Sequence, residues 1–269
     1  MGIAAQHISG KQRQAASFVT GGCKQPTTCP ETLMRHAEQA QGRLLTFTRA
    51  LAEELGLNPD LQVIKGPNKA RQRADSKAHG KYHGHYEEIL DYRRDRILFR
   101  ATDQVFKFRG MTVAGKNSDP FLSTWKERGF EIVEIDDAFL KRKKSGMVGI
   151  NISVKVDLGK GRYHICEIQM MHEDMQAIDK STHIRYEEKI RPVTDKAFAE
   201  NDRDLTAEEK LKIGAHQEAN WAEYDAGIID CGLQSILSPA VHAQLIGRQA
   251  QNENRQIVRN PAEHLQLVA

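Results

Sequence analysis

Gly161-Arg-Tyr-His-Ile-Cys-Glu-Ile-Gln-Met-Met171 is the clearest strand pattern in the chain. Taken with period 2, Arg162, His164, Cys166 and Ile168 face one way, and Tyr163, Ile165, Glu167 and Gln169 the other. An acid and an amide thus share one face of a strand, with apolar residues on both sides. So apolar a strand reads as interior to a sheet, where a carboxylate must find a cation, a metal or a hydrogen bond. The best suppliers lie upstream in residues 69–94, so function turns on whether the two segments meet.

On its N-terminal side, residues 149–157 alternate as a second strand, and Gly159-Lys160-Gly161 makes the turn of a hairpin. Residues 130–136 alternate again, 97–100 and 61–64 read as shorter strands, and 139–145 as a basic loop. Pro30-Glu31-Thr32 opens a helix whose Leu33, His36, Ala37, Ala40, Leu44, Phe47, Ala50, Leu51 and Leu55 recur at three and four, until Gly56 ends it. Further helices are expected over 69–78, 119–128, 174–190 (stopped by Pro192), 206–224 and 235–252, with a Gly/His loop at 79–85 and another helical turn at 86–90. Residues 1–29 mix Gly, Gln, Ser and Thr without periodicity and read as flexible or loosely docked. The order predicts an α+β fold: a mixed sheet of about five strands flanked by helices, with a core over 30–191 and a helical extension over 192–269.

Composition sets bounds. Charged residues are 28% and net charge is only +3, from 39 basic and 36 acidic side chains. That excludes a polybasic wrapper of nucleic acid but allows a local basic groove. Aromatics at 6% are few for a platform that stacks single-stranded bases. No run approaches ~18 apolar residues, and residues 1–10 lack a basic stretch followed by an apolar one, so neither a membrane span nor a secretory signal is expected. Cys23, Cys29, Cys166 and Cys231 are scattered, with no usual zinc-knuckle spacing, and read as free thiols in a reducing cytosol.

Several groups carry chemistry. If residues 69–78 are helical, Lys69, Arg73 and Lys77 make one face of three cations along ~12 Å, a length that suits a triphosphate; a solvated basic face is the other reading. Asp91 and Arg94 flank the entry to the strand at Ile97. An Asp there can hold a divalent cation and an Arg can clamp a phosphate or stack on a base, or the knot Asp91-Tyr-Arg-Arg-Asp-Arg96 can pair within itself. His183, Tyr186 and Glu187 share a helix face that can pack over the Glu167 strand. His79, His83 and His85 with His172 form a loose candidate metal set, and Lys141-Arg-Lys-Lys144 is either a solvated loop or a reach toward phosphate or RNA.

Together these segments resemble the RelA/SpoT-type nucleotidyltransferase family, the alarmone synthetases, in its divergent branch. The pattern K-x3-R-x3-K, Y-x-G, D-x-x-R, a basic loop, E-x-Q and H-x-x-Y-E-x3-R stands here as Lys69/Arg73/Lys77, Tyr82 and Gly84, Asp91/Arg94, residues 141–144 with Ser145-Gly146, Glu167/Gln169, and His183/Tyr186/Glu187/Arg191. The resemblance spans about residues 61–191. It implies a catalytic core over 30–191 that transfers the β,γ-diphosphate of ATP to a ribose hydroxyl of a nucleotide, with Mg²⁺. Carried over, Asp91 and Glu167 would bind the metal, and Glu167 would share it or draw the acceptor's proton. Lys69, Arg73 and Lys77 would hold the triphosphate, and Arg94 the donor base or phosphate. Gln169, His183 and Tyr186 would shape the acceptor side, as would Met147, which stands where the family commonly has a tyrosine that stacks on guanine. A core of this kind suits a small alarmone synthetase, acting in the cytoplasm, or a toxin or effector delivered into a target cytosol. An RNA or tRNA 3′ end is an alternative acceptor. A degenerate module that binds nucleotide or RNA, or a protein-interaction surface with Glu167 paired internally and no cavity around it, are the non-enzymatic alternatives.

Overall fold

The computed structural model describes residues 18–19, 23–113, 119–143, 145–200 and 203–259 of the 269-residue chain. In chain order the first elements are Phe18–Val19 (β1), Pro30–Glu54 (α1), Pro59–Gln62 (α2), Val63–Lys65 (β2), Arg71–Tyr82 (α3) and Arg94–Phe99 (β3). Thr102–Val113 (α4), Pro120–Glu127 (α5), Phe130–Asp137 (β4), Ile150–Gly159 (β5) and Arg162–His172 (β6) follow. Met175–Arg185 (α6), a π-helical turn at Tyr186–Ile190, Arg191–Ala199 (α7), Ala207–Asp230 (α8), a 3-10 turn at Leu233–Ile236 and Pro239–Arg259 (α9) complete it. The fold is α+β, with strand order β1-β4-β5-β6-β3-β2. The five longer strands match the expected mixed sheet, and β1 adds a two-residue edge paired to β4.

Within this sheet β3 and β6 run parallel and the other pairs antiparallel. That single parallel pair joins the two segments singled out in the sequence: Arg94 stands opposite Glu167, and Arg96 opposite Gln169. Alternation along β6 is as expected. Cys166, Ile168 and Met170 are fully buried in the main core, while the other face carries Glu167 and Gln169. On β5, Ile150, Ile152, Val154 and Val156 enter the same core. α1 lies against β3, β5 and β6, contributing Ala40, Leu44, Phe47 and Leu51 to that core. Its first turns make a second cluster, in which Leu33 and Ala37 meet Ala74 and Ala78 of α3 and Ile89 and Tyr92 beyond it. α3 therefore docks through its alanines and turns its charged side chains elsewhere.

Four expectations change. α3 starts at Arg71, not Lys69, and runs on to Tyr82, ending on His83 in the left-handed region (φ 49°). The reason is that the Lys69 N–H donates to the Tyr92 carbonyl at 2.8 Å, which holds the chain extended beside the strand's entry until Ala70. Lys69, Arg73 and Lys77 are thus not one helical row. α4 was not expected; Val105, Phe108 and Met111 bury its core-facing stripe, while Gly110 and two β-branched residues near its end obscure the pattern in sequence. Pro192 does not stop the chain's helical course. It sits in the first turn of α7, directly after the π turn, where its missing N–H costs no hydrogen bond.

The fourth concerns the two ends. Gln25 is buried, its side chain bonded to the Ile89 and Ile165 carbonyls and the Ile165 N–H, so residues 23–29 are tied to the edge of β6 rather than loose. At the other end, α8 opens on a reciprocal capping box between Thr206 and Glu209, a motif worth about 1 kcal/mol. Tyr224, Ile228, Leu233, Ile236 and Leu245 join the main core, so the C-terminal helices complete the sheet's packing. Among the described residues no helix is long and apolar enough to cross a membrane.

Candidate active site

The charged knot before β3 divides its side chains. Arg93 turns inward, 2.6 Å from Asp95 Oδ1 and bonded to the Gly66 carbonyl, in a fully buried pair. Arg96 reaches Asp179 on α6 at 2.9 Å. Asp91 and Arg94 are left to line a cleft of about 580 Å³. Its walls include Lys69, Arg73 and Lys77 on one side and His183, Tyr186, Glu187 and Arg191 on the other. Gly66 makes this close approach possible: a Cβ there would stand 2.5 Å from the Arg94 carbonyl oxygen.

Inside the cleft Asp91 is doubly held, with Oδ1 2.7 Å from Lys77 Nζ and Oδ2 3.0 Å from Lys69 Nζ. Burial works to raise the Asp91 pKa, but the two ammoniums overcome it and hold the carboxyl far below the usual range. The lysines do not share the benefit equally. Burial opposes both, and Asp91 outweighs it at Lys77, whose pKa rises, while at Lys69 burial prevails and the pKa falls. Lys69 is also the more distant partner, at 3.0 Å against 2.7 Å.

Glu167 lies in the same electrostatic neighbourhood although it does not line the cleft. Burial first, and then the negative charge of Asp91, raise its pKa against the pull of Lys77, Lys143 and Arg94. Both of its oxygens are held: Oε1 accepts from Gln169 Nε2 at 2.9 Å and Oε2 from Asn151 Nδ2 at 3.2 Å. Gln169 in turn accepts from Arg96 at 3.0 Å, so Asp179, Arg96, Gln169 and Glu167 form one chain of contacts. Gln169 is buried and committed to these partners.

The remaining predicted residues divide between the cleft wall and other places. His183, Tyr186 and Glu187 do not pack over the Glu167 strand; they face α3, where Arg73 pairs with Glu187, and Arg191 donates to Ser76 at 2.6 Å. A bridge therefore spans the cleft, and it springs from the π turn, an element often found at functional sites. Met147 packs against the main core. In the basic loop Arg142 is buried, 2.7 Å from Asp225 and stacked over Trp221, and Lys143 pairs with Asp136 at 2.9 Å; Lys144 lies outside the described residues. The set His79, His83, His85 and His172 does not assemble: His79 bonds within α3, His85 meets Glu87, and His172 sits at the end of β6. All four cysteines are free thiols.

Asn151 was missed. Its Oδ1 is buried with no hydrogen-bond partner, beside the Glu167 carboxylate that its amide holds. The signal was available, since Asn151, Ser153 and Lys155 form the polar face of β5, in register with Gln169, Glu167 and Ile165. Three oxygen-bearing side chains, two of them acids that repel each other, are a donor set suited to a hard divalent cation.

No protein-family model matches the chain, and no curated protein matches it by sequence. Solved structures similar to it include small alarmone synthetase 1 from Bacillus subtilis bound to its product pppGpp, at 18% identity and TM-score 0.47, covering 75% of this chain and 96% of that one. A GTP pyrophosphokinase family protein from Streptococcus pneumoniae is similar at 17% identity and TM-score 0.45, covering 71% and 96%. The Type VI effector Tas1, solved with its immunity protein, is similar at 22% identity and TM-score 0.42, covering 73% and 94%. These are likenesses of fold.

Proposed function

We propose that the protein is a pyrophosphokinase that transfers the β,γ-diphosphate of ATP to a ribose hydroxyl of a nucleotide, with Mg²⁺ as cofactor. The observation that carries this reading is the shared environment of Asp91 and Glu167: Lys77 acts on both, and the negative charge of Asp91 raises the Glu167 carboxyl. Phosphoryl transfer asks the protein chiefly to position groups and offset charge, and a cleft lined by Asp91 and several cations, with the Glu167 carboxyl buried close by, supplies those two things.

Asp91 and Glu167 would hold the magnesium ion, with the Asn151 carbonyl oxygen beside them. The fit rests on the raised Glu167 carboxyl and the unpartnered Asn151 Oδ1, both of which a cation would satisfy. When bound, the ion would neutralise charge on the donor's phosphate oxygens. Lys69, the more distant of the two ammoniums at Asp91, would hold the donor's phosphates together with Arg73, Lys77 and Arg94. Gln169 and Asn151 keep the Glu167 carboxylate oriented toward the acceptor hydroxyl. His183 and Tyr186, exposed on the opposite wall, meet the acceptor nucleotide.

The test is incubation with labelled ATP, Mg²⁺ and a panel of nucleotides, with tRNA included, followed by separation of products. Transfer to a nucleotide that disappears in Glu167→Gln and Asp91→Asn is expected. Absence of transfer to any acceptor, with ATP·Mg²⁺ still raising the melting temperature, would reduce the protein to a binding module. A ligand at 100 times its Kd adds ~2.7 kcal/mol of stability, well within reach of a thermal shift.

A further inference from the structure

We propose that His172, Asp174 and Cys231 form a binding site for a zinc ion, separate from the cleft, that fastens the end of α8 to the strand carrying Glu167. One ligand atom of each residue lies within 4.8 Å of the other two, and His172 Nδ1 is 3.7 Å from Asp174 Oδ2. Among the described residues this is the one grouping of three or more His, Cys, Asp or Glu side chains that closes to this distance.

The imidazole is already set for a metal. Nε2 lies 3.1 Å from the Arg100 carbonyl, and since a carbonyl only accepts, Nε2 carries the proton. The lone pair therefore sits on Nδ1, and the Asp174 N–H approaching it at 3.3 Å requires the same tautomer. That long bond is the one a metal would replace. The ring itself is nearly closed from solvent and rests edge-on against Phe99, 5.4 Å between centroids. A histidine fixed through its far nitrogen by a backbone carbonyl is the usual outer arrangement behind a metal-bound imidazole.

The other two members supply charge and adaptability. Cys231 follows the last turn of α8, its N–H returning to the Gly227 carbonyl, so its sulfur sits at the negative end of a 24-residue helix, where a cation is favoured. Asp174 is 73% exposed and free to swing inward. Ligand atoms around tetrahedral zinc stand about 3.3–3.8 Å apart, and all three here already lie within 4.8 Å of one another. Imidazole, thiolate and carboxylate together select zinc over magnesium, and a water would fill the fourth position. The ligands come from the end of β6, the turn after it and the end of α8, three places that the chain brings together only by folding.

The full-length protein, stripped with a chelator and dialysed, is titrated first with Co²⁺ as a spectroscopic probe and then with Zn²⁺. One equivalent of Co²⁺ should give a near-ultraviolet thiolate-to-metal absorption band that Zn²⁺ abolishes. Cys231→Ser should lose the band. Asp174→Asn, on the exposed member and harmless to the core, should weaken binding roughly tenfold or more, a scale on which even outer partners of a metal site act. Absence of the band, a band unchanged in Cys231→Ser, or an affinity unchanged in Asp174→Asn would overturn the assignment; an unchanged band in Cys231→Ser would direct attention to Cys23 or Cys29. None of these readouts involves a nucleotide, so the outcome stands whether or not the transferase reading survives.

Discussion

Arg94 stands opposite Glu167 across the parallel pairing of β3 and β6, and the Glu167 N–H donates to the Arg93 carbonyl at 2.9 Å. That ladder is what brings two segments remote in sequence side by side. It also fixes the register by which Asp91, three residues before the strand, arrives near the Glu167 carboxylate. A slip of one residue would send Glu167 into the apolar core and Ile168 out.

Asp91→Asn should destabilise the fold as well as abolish transfer. The substitution leaves two largely buried ammoniums without their carboxylate, and breaking a buried pair in this way costs about 3–5 kcal/mol. Because the Asp91 pKa is depressed in the folded state, its stabilising contribution is present above the ordinary carboxylate pKa and fades as pH falls toward the folded value. Urea melts of wild type and variant should therefore diverge at neutral pH and draw together in strong acid.

Glu167→Gln should behave in the opposite sense. A carboxyl whose folded pKa is raised contributes stability that is complete below its unfolded pKa and is lost as pH rises through the folded one. The amide carries no such cost. Relative to wild type the variant should gain melting temperature between pH 4 and pH 8 while losing transfer. A melting difference that is flat across that range would mean Glu167 is not strained in the folded protein.

His164 gives a second pH signature, distinct from the cleft. It is fully buried, neither ring nitrogen has a hydrogen-bond partner, and burial followed by the nearby His36 pushes its pKa down to about 3. A histidine held neutral this way stabilises above its unfolded pKa and loses that contribution as pH falls, by about 2 kcal/mol at pH 5. His164→Leu should flatten the acid limb of the stability curve between pH 7 and pH 5 without touching ATP binding; a limb as steep as wild type assigns that acid sensitivity elsewhere.

Much of the fold was legible because β5 and β6 alternate cleanly and the turn between them is marked by glycines at 159 and 161, with Lys160 at φ 55°. The pairing of acid and amide on one strand face was legible for the same reason. What escaped was whatever depends on tertiary contacts. Lys69 looks helical by spacing, but a single backbone bond to Tyr92 keeps it extended. Gln169 looks like a ligand residue, but Arg96 and Glu167 claim both ends of its amide. His183 and Glu187 share the expected face, yet that face turns to α3 because Arg73 and Ser76 offer it partners. Neither periodicity nor motif spacing carries such information.

Gln169→Leu separates orientation from binding. Leu matches the volume and keeps the strand face filled, but it removes both the bond to Glu167 Oε1 and the acceptor for Arg96. Loss of one oriented, buried hydrogen bond costs about 1–3 kcal/mol where a partner is left unsatisfied. Transfer should fall by about tenfold to a hundredfold in kcat, since 1.36 kcal/mol is a factor of ten, with little change in the ATP·Mg²⁺ thermal shift. A fall in ATP affinity with kcat intact would instead make Gln169 part of the binding surface.

Gly66→Ala tests the geometry that brings the cations to Asp91. The added Cβ would stand 2.5 Å from the Arg94 carbonyl oxygen and 3.1 Å from its Cγ, and backbone cannot give way as a flexible side chain would. The Gly66 N–H donates to that same carbonyl at 3.2 Å, so relief requires the 66–69 segment to lift away from β3. Forcing extra volume into a packed site costs about 1–3 kcal/mol. The displacement also carries Lys69 off Asp91, so ATP affinity should drop together with stability. By contrast Gly42→Ala, in the middle of α1 with nothing within 4 Å of the new Cβ, should stabilise by about 1 kcal/mol and leave affinity alone. If the two substitutions affected ATP binding equally, the packing of Gly66 under Arg94 would not be what holds the basic wall of the cleft in place.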